Sequence, residues 1–275
     1  MVLLSAHNIK ETTLHLIDSP VIHQEHRPYL GASQLGHTCD RYLWYSFRWC
    51  YESEISSRLQ RLFNRGHREE PEIIKELEKI GIKCYGDQTE FVAGHGHIRG
   101  HCDGMADNVP EAPKTTHLLE FKTMNDKSFK DLKKKGLKMS KPVYWAQVQL
   151  YMHGLGLTRC LHINVNKNDD DLYIERIRYD EEDALSLLRK GMDILYSEFP
   201  PIKKLSPTWY ECKWCNAKGI CHGNQHIHET CRTCEHGDLV VDGNWECSYN
   251  GPEHATTLTV ERQRIGCTEY KQIEL

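Results

Sequence analysis

The stretch "LLEFKT", residues 118–123, decides how this chain is read. Its apolar residues mark a buried strand, yet it carries Glu120 and Lys122. Side chains two apart on a strand point to the same face, so a carboxylate and an ammonium sit together beside Leu118, Leu119 and Phe121. Upstream, "HIRGHCDGMAD" (97–107) reads as the preceding strand and "NVPEAPKT" (108–115) as a turn. A hairpin there brings Asp103 next to Glu120. Two such carboxylates repel and raise a pKa unless a cation lies between them. A hard divalent ion, magnesium or manganese, suits those oxygens. It lowers the pKa of bound water and stabilises a phosphorane-like transition state, and Lys122 orients the water or balances developing charge. An isolated E-x-K is by default a cross-strand salt bridge. Asp103 across the turn tips the reading towards a metal site.

Working outward, "SSRLQRLFNRGHREEPEIIKELEKIG" (56–81) is a helix with Ile73, Ile74, Leu77 and Ile80 on one face and Gly81 as its stop. "KCYGDQTEFVAG" (83–94) and 97–107 read as strands. "PVYWAQVQLYMHGLG" (142–156) is a helix entered by Pro142. Residues 159–180 form a hairpin, and 180–199 an amphipathic helix capped by Asp180 and ended by Pro200 and Pro201. Residues 31–49 pass from turn and cap residues into an aromatic-rich helix, and residues 1–30 read as an irregular entry. The fold class expected is α/β.

The bulk numbers bound the answer. The 275 residues, 39% hydrophobic and 27% charged, can bury a good core. No apolar run reaches membrane-spanning length, and "MVLL" is too short for a signal-peptide core. A cytoplasmic protein is expected. The formal charge of −4 argues mildly against a protein coated in nucleic acid and says nothing about a local basic groove. Twelve cysteines are many for a reducing compartment, where they point to metal more than to disulfides.

The D-G and E-F-K residues resemble the catalytic core of the PD-(D/E)XK nuclease superfamily, with Cys102 in place of the proline before Asp103. "QVQLY" supplies Gln147 and Tyr151, four apart on one helical face, similar to the Q-x3-Y motif of the RecB-like, lambda-exonuclease-like branch. "NRGHREEPEIIKEL" resembles that branch's first motif. The histidine after the glycine would be His67, and the acid of a G-x3-E-P pattern would be Glu70; both stay open as the further metal ligand. The four motifs fall in the family's order. The resemblance covers roughly residues 31–223. It implies a restriction-endonuclease-like core, a central mixed β-sheet flanked by helices, with Asp103 and Glu120 on Mg2+ or Mn2+, Lys122 activating water, and Gln147 and Tyr151 positioning the backbone to be cut.

"ECKWCNAKGICHG" gives Cys212-x2-Cys215-x5-Cys221, three thiolates suited to a metal or an iron–sulfur cluster. AddB-like and CRISPR-associated exonuclease-like members of the branch carry one cysteine before the core and three after it. Cys39 stands in the matching place, so the resemblance implies a [4Fe–4S] cluster on Cys39, Cys212, Cys215 and Cys221. Zinc on the same ligands, or with His222 replacing Cys39, is the competing reading. Beyond them, Cys231, Cys234 and Cys247 resemble a zinc ribbon, with His254, His236 or His228 as the fourth ligand and His254 favoured. Structural zinc contributes on the order of 10 kcal/mol to a small module, which would replace the core that a Cys-rich, metal-stabilised C-terminal region lacks. The expected domains are 1–223, the nuclease closed by the cluster, and 224–275, the zinc-ribbon-like module and tail. Cys50, Cys84, Cys102, Cys160 and Cys267 lack ligand spacing.

Lys127, Lys130, Lys133, Lys134, Lys135, Lys138 and Lys141 crowd one segment opposed only by Asp131. Beside a phosphodiesterase site they offer sequence-independent phosphate contacts, with Arg58, Arg61, Arg65 and Arg68 as a second bank. The combined expectation is a metal-dependent DNA exonuclease for recombination, repair or processing. Its partners would be DNA ends or single strands, another copy of itself, or a recombination or helicase protein. The tail resembles bacteriophage nucleases, which would place it in a host cytoplasm. The alternatives are a non-catalytic DNA-binding adaptor of the same fold, favoured only by a broken motif, and a redox or zinc-only regulator, which leaves the acidic residues unexplained.

Overall fold

The computed structural model describes residues 13–203 and 206–275. The first twelve residues, part of the stretch expected to be an irregular entry, lie outside the described residues. In chain order the strands are β1 (Val21–Gln24), β2 (Leu30–Gly31), β3 (Ser53–Ser56), β4 (Lys83–Tyr85), β5 (Glu90–Ala93), β6 (Ile98–His101), β7 (Gly104–Asp107), β8 (His117–Met124), β9 (Arg159–Asn166), β10 (Leu172–Arg178), β11 (Gly237–Leu239), β12 (Trp245–Cys247) and β13 (Thr256–Leu258). The helices are α1 (Asp40–Phe47), α2 (Ser57–Lys79), α3 (Asp126–Ser140), α4 (Pro142–Leu155), α5 (Glu181–Tyr196), α6 (Lys218–His222) and α7 (Val260–Gln263).

A five-stranded sheet in the order β10-β9-β8-β7-β4 carries the site. The β8–β9 pair is parallel and every other pair in the sheet antiparallel. A parallel neighbour requires a long crossover, supplied by α3 and α4. One face packs under α2: Ile73 and Leu77 join Ala106, Leu119, Phe121, Leu161, Ile163 and Val165 in one buried cluster. On the opposite face, Leu118, Met124 and Cys160 join Phe129 and Leu132 of α3 and Val148 and Tyr151 of α4. This is the α/β mixed sheet flanked by helices that the resemblance implies.

Local chemistry sets the helix ends. The Ser56 hydroxyl accepts from the Leu59 N–H at 3.2 Å at the start of α2, and Asp180 accepts from the Asp183 N–H at 3.1 Å at the start of α5. Pro71 lies inside α2; its missing N–H leaves the His67 carbonyl without the usual helical donor. The lysine-rich run folds as α3, broken at Gly136, whose φ of +71° is non-helical.

Two local readings change. The described part of the entry is helical over 13–18 and then forms β1, which pairs with β3. The run 83–107, read as two strands, forms four in two sheets: β4 and β7 stay in the main sheet, whereas β5 and β6 join β2 in a three-stranded one. The break falls at Gly104, whose φ of +147° is open to glycine and redirects the chain. Asp103 therefore occupies the crossover between the two sheets.

The C-terminal segment builds its own sheet in the order β11-β12-β13, but it packs into the main body. Ile227, Trp245, Leu258 and Ile273 share a buried cluster with Leu43, Trp44 and Phe47. Arg232 is wholly buried in the seam. Its guanidinium lies 3.8 Å from the Trp49 ring centre, and it donates to the carbonyls of Phe47 at 3.0 Å and Pro28 at 2.8 Å. Among the described residues no helix is long and apolar enough to cross a membrane.

Candidate active site

The register of the main sheet assembles the site. Gly104 pairs with Leu119, so the residue before β7, Asp103, falls opposite Glu120. Asp103 Oδ2 accepts the Phe121 backbone N–H at 2.7 Å. Glu120 is fully buried. Its Oε1 accepts from Lys122 Nζ and, at 2.8 Å, from Gln147 Nε2. Its Oε2 is buried with no partner. Lys122, whose side chain is 23% exposed, reaches from that pair towards the surface, with Nζ 5.5 Å from the Tyr144 ring centre. Gln147 Nε2 also lies 3.4 Å from the Tyr151 hydroxyl. Asp103, Glu120, Lys122, Gln147 and Tyr151 therefore form one constellation.

Tyr151 is held from behind. A Cβ on Gly100 would stand 2.5 Å from the Tyr151 hydroxyl oxygen, so only glycine lets β6 approach this ring. Phe91 packs beside it, with ring centres 5.9 Å apart. Burial raises the Tyr151 phenol further, so it stays protonated and can act as a donor.

The choice between His67 and Glu70 has a structural basis. His67 Nδ1 lies 3.5 Å from Glu70 Oε1, with the His67 side chain 76% exposed and Glu70 29% exposed. Glu70 is raised by its partial burial and then by the Asp103 charge, against the pull of His67 and Lys122. Glu70 is thus the inward member and His67 the outward one. Gly66 of α2 faces Thr123 of β8, where a Cβ would sit 4.0 Å from Thr123 Oγ1, in ordinary contact.

The electrostatics describe a site short of positive charge. Burial raises Asp103, against Lys122 and the Phe121 N–H. Burial also raises Glu120, with Lys122 opposing and Asp103 adding to the rise. For Lys122, burial is outweighed by Glu120 and Asp103, which hold it protonated. Three acids face one ammonium, and a wholly buried carboxylate oxygen has no donor. A hard divalent cation fits that donor set. Among the described residues, only His23, Glu52 and Glu54 bring three metal-ligating atoms within 4.8 Å of one another. They are exposed, with His23 on β1, Glu54 on its partner β3 and Glu52 just before β3. The acids around Asp103 stand wider apart.

Sequence reasoning missed two neighbours on β9 and one residue beyond it. His162 lies opposite Glu120 and Asn164 opposite Lys122 across the parallel pair. His162 is buried, stacked against Tyr144 at 6.3 Å between ring centres, and held neutral by burial and by Lys122, its pKa lowered to about 3. The signal was available: in "RCLHINVN" every second residue of a buried strand is polar or Cys. Lys167, just past β9, is the third. It donates its backbone N–H to the Met124 carbonyl at 2.8 Å, and its side chain is lowered by burial and then by Arg65 and Arg58. That places part of the arginine bank close to the end of β8.

The lysines of α3 are more compensated than the sequence suggested. Lys130 pairs with Asp126 at 2.8 Å, Lys133 with Asp171 at 3.0 Å, Lys135 with Asp131 at 2.7 Å and Lys138 with Asp183 at 2.7 Å. The opposing acids come from the β9–β10 turn and α5 as well as from α3 itself. Among the described residues, none of these ion pairs involves Lys127 or Lys134. An open groove runs between Phe129, Lys130, Lys133 and Lys134 and Asn166 and Asp169.

Cys39, Cys212, Cys215 and Cys221 line one cavity. Cys39 caps α1, Cys212 opens a short helical turn and Cys221 lies in α6. Burial raises the Cys212 and Cys215 thiols, and the neighbouring cysteines add to the rise. Four thiols meeting in one pocket fit a tetrathiolate-bound group, iron–sulfur cluster or zinc. His222 lines the same cavity. In the C-terminal segment, Cys231, Cys234 and Cys247 line a second cavity together with His236 and Cys267; His254 and His228 do not line it.

No protein-family model matches the chain, and no curated protein matches it. Solved structures matched by the fold include an alkaline exonuclease (LHK-Exo) from Laribacter hongkongensis, 18% identical at a TM-score of 0.46, covering 62% of this chain and 87% of that one. LHK-Exo in complex with dAMP matches at 18% identity and a TM-score of 0.43, over 61% and 86% of the two chains. A protein designated SSO0001 matches at 17% identity and a TM-score of 0.43, over 79% and 95%. At these scores the functional reading rests on the residues of this chain.

Proposed function

We propose that this protein is a divalent-metal-dependent DNA nuclease, an exonuclease hydrolysing phosphodiester bonds at DNA ends or on single strands. The observation that carries the reading is Glu120: fully buried, one oxygen without a partner, and flanked by Asp103 and Lys122. A salt bridge alone would leave that oxygen with a large unmet desolvation cost.

Asp103 and Glu120 would hold Mg2+ or Mn2+, with Glu70 completing the acidic set. When bound, the ion polarises the phosphate and activates water. Lys122, kept protonated by its two carboxylates, balances the charge that develops on the phosphate oxygens. The Phe121 N–H fixes Asp103 Oδ2, so its other oxygen is the one left to face a ligand. Gln147 fixes Glu120 Oε1, and the Tyr151 hydroxyl, locked by Gly100, fixes Gln147 in turn. Both therefore orient the site.

DNA would run over α3 and the Arg58, Arg65 and Lys167 cluster, without base readout. We assign a [4Fe–4S] cluster to Cys39, Cys212, Cys215 and Cys221, where its function would be to tie α1 to the segment after α5. The deciding experiment offers linear and circular, single- and double-stranded DNA to the purified protein with Mg2+, Mn2+ or EDTA. Metal-dependent release of nucleotides from linear DNA is expected. Binding without cleavage under every metal condition would refute the nuclease and leave the adaptor.

A further inference from the structure

We propose that Cys231, Cys234, Cys247 and Cys267 form a four-thiolate structural zinc site that closes the C-terminal tail onto the three-stranded ribbon. The four cysteines come from three separate turns of chain and line one cavity.

The backbone around the first pair has the form of a metal-binding turn. Cys231-Arg-Thr-Cys234 makes a single 3-10 turn, closed by a Thr230–Thr233 capping box. Gly237 then donates its N–H to the Cys234 carbonyl at 3.0 Å. A Cβ on Gly237 would lie 2.1 Å from the Cys231 carbonyl oxygen, so the tight return after the pair needs glycine. Gly237 opens β11 and pairs with Cys247, the last residue of β12, which carries the third sulfur to the mouth of the turn.

The fourth ligand arrives by the tail. Gly266 donates its N–H to the Glu229 carbonyl at 3.0 Å, and the Ile273 N–H reaches the Thr233 carbonyl at 3.0 Å. Cys234 pairs through its backbone with Gln272, and Lys271 pairs with Glu235 at 2.6 Å. These contacts lay residues 266–273 alongside the C-x2-C turn and leave Cys267 exposed at the cavity. Spacing conceals it in the sequence, because it lies far beyond Cys247 with no second cysteine beside it. No three of the sulfurs lie within 4.8 Å of one another, wider than the roughly 3.8 Å that four Zn–S bonds of ~2.3 Å impose. Zinc binding would draw the ribbon and tail together.

The test uses the full-length protein. Elemental analysis is paired with alkylation mapped cysteine by cysteine by mass spectrometry, before and after a strong chelator. Zinc is expected in the isolated protein. Cys231, Cys234, Cys247 and Cys267 should be protected together and become labelled together after chelation. Cys267→Ser should lower the zinc content by one equivalent per chain, and His254→Ala should leave it unchanged. If Cys267→Ser fails to fold, labelling of the unsubstituted protein decides alone. Labelling of Cys267 at the rate of a free thiol in zinc-loaded protein overturns the proposal. So does loss of zinc in His254→Ala, or iron rather than zinc protecting these four residues. The outcome is independent of whether the protein cuts DNA.

Discussion

Replacing Glu120 by glutamine tests whether the buried acid is there for chemistry or for packing. The substitution keeps volume and shape, and its carbonyl oxygen can still accept from Gln147 Nε2 or Lys122 Nζ. It removes the charge-assisted part of the Lys122 contact, worth about 1.5–3 kcal/mol. It also removes a fully buried carboxylate whose second oxygen has no donor, a relief of similar size and opposite sign. The two nearly cancel, so folding stability should change by less than about 2 kcal/mol. Activity should not cancel. Losing a group that stabilises charge in the transition state costs about 2.7–4 kcal/mol, a hundredfold to thousandfold in rate at about 1.4 kcal/mol per factor of ten. Release of acid-soluble nucleotides from end-labelled linear duplex, measured beside thermal unfolding, separates the effects. A Glu120→Gln protein with near-normal melting and activity within tenfold of the unsubstituted chain would refute the metal site.

Other outcomes follow from the same geometry. The raised carboxyls of Asp103, Glu120 and Glu70 must lose protons before an ion binds, so Mn2+ affinity should climb as pH rises from mildly acidic to alkaline. In metal-free protein the sign is reversed. Stability from these raised groups is full below their unfolded pKa of about 4 and is lost as pH rises through their folded values. Thermal unfolding with EDTA should therefore fall towards alkaline pH, and Mn2+ should restore it. Replacing Lys127 and Lys134 by alanine should flatten the salt dependence of DNA binding by roughly 0.7–0.9 in log–log slope for each phosphate that is no longer neutralised. Lys133 and Lys135, already paired with Asp171 and Asp131, should each contribute less; an unchanged slope in the first variant moves the DNA path off α3. Cys39→Ser should abolish absorbance near 400 nm, a range taken from the family resemblance, and lower the melting temperature; a colourless native protein holding only zinc at that site would exclude the cluster. Gly100→Ala should push the Tyr151 ring off Gln147 and reduce cleavage while leaving DNA affinity in place, as a kcat against Kd comparison would reveal.

The chain discloses the centre of its site more readily than the rim. Glu120 and Lys122 are legible because a strand repeats every two residues, and Asp103 because a short turn fixes which residue faces them. His67 and Glu70 are not separable by spacing. They sit one helical turn apart, and only the packing of α2 on the sheet leaves one more buried than the other. Gly104 looks like ordinary punctuation, yet its positive φ splits an apparent strand between two sheets. The compensation of the α3 lysines was hidden because three of the opposing acids, Asp171, Asp180 and Asp183, lie more than thirty residues away in sequence. Cys267 shows the same limit, a ligand candidate brought in by tertiary contacts with no motif of its own.

Arg232 has a consequence for how this protein is made. Its guanidinium closes over Trp49 and bonds the Phe47 carbonyl, 185 residues earlier in the chain. A ribosome adding about 5–20 residues per second takes roughly 10–40 s to cover that interval. Throughout that time the aromatic surface of Phe47 and Trp49 has been synthesised but lacks its cover. Nascent chains stalled short of residue 232 should therefore remain bound by chaperones that hold exposed aromatic segments, and synthesis of the segment around Arg232 sets the moment at which the Phe47–Trp49 surface becomes safe from aggregation.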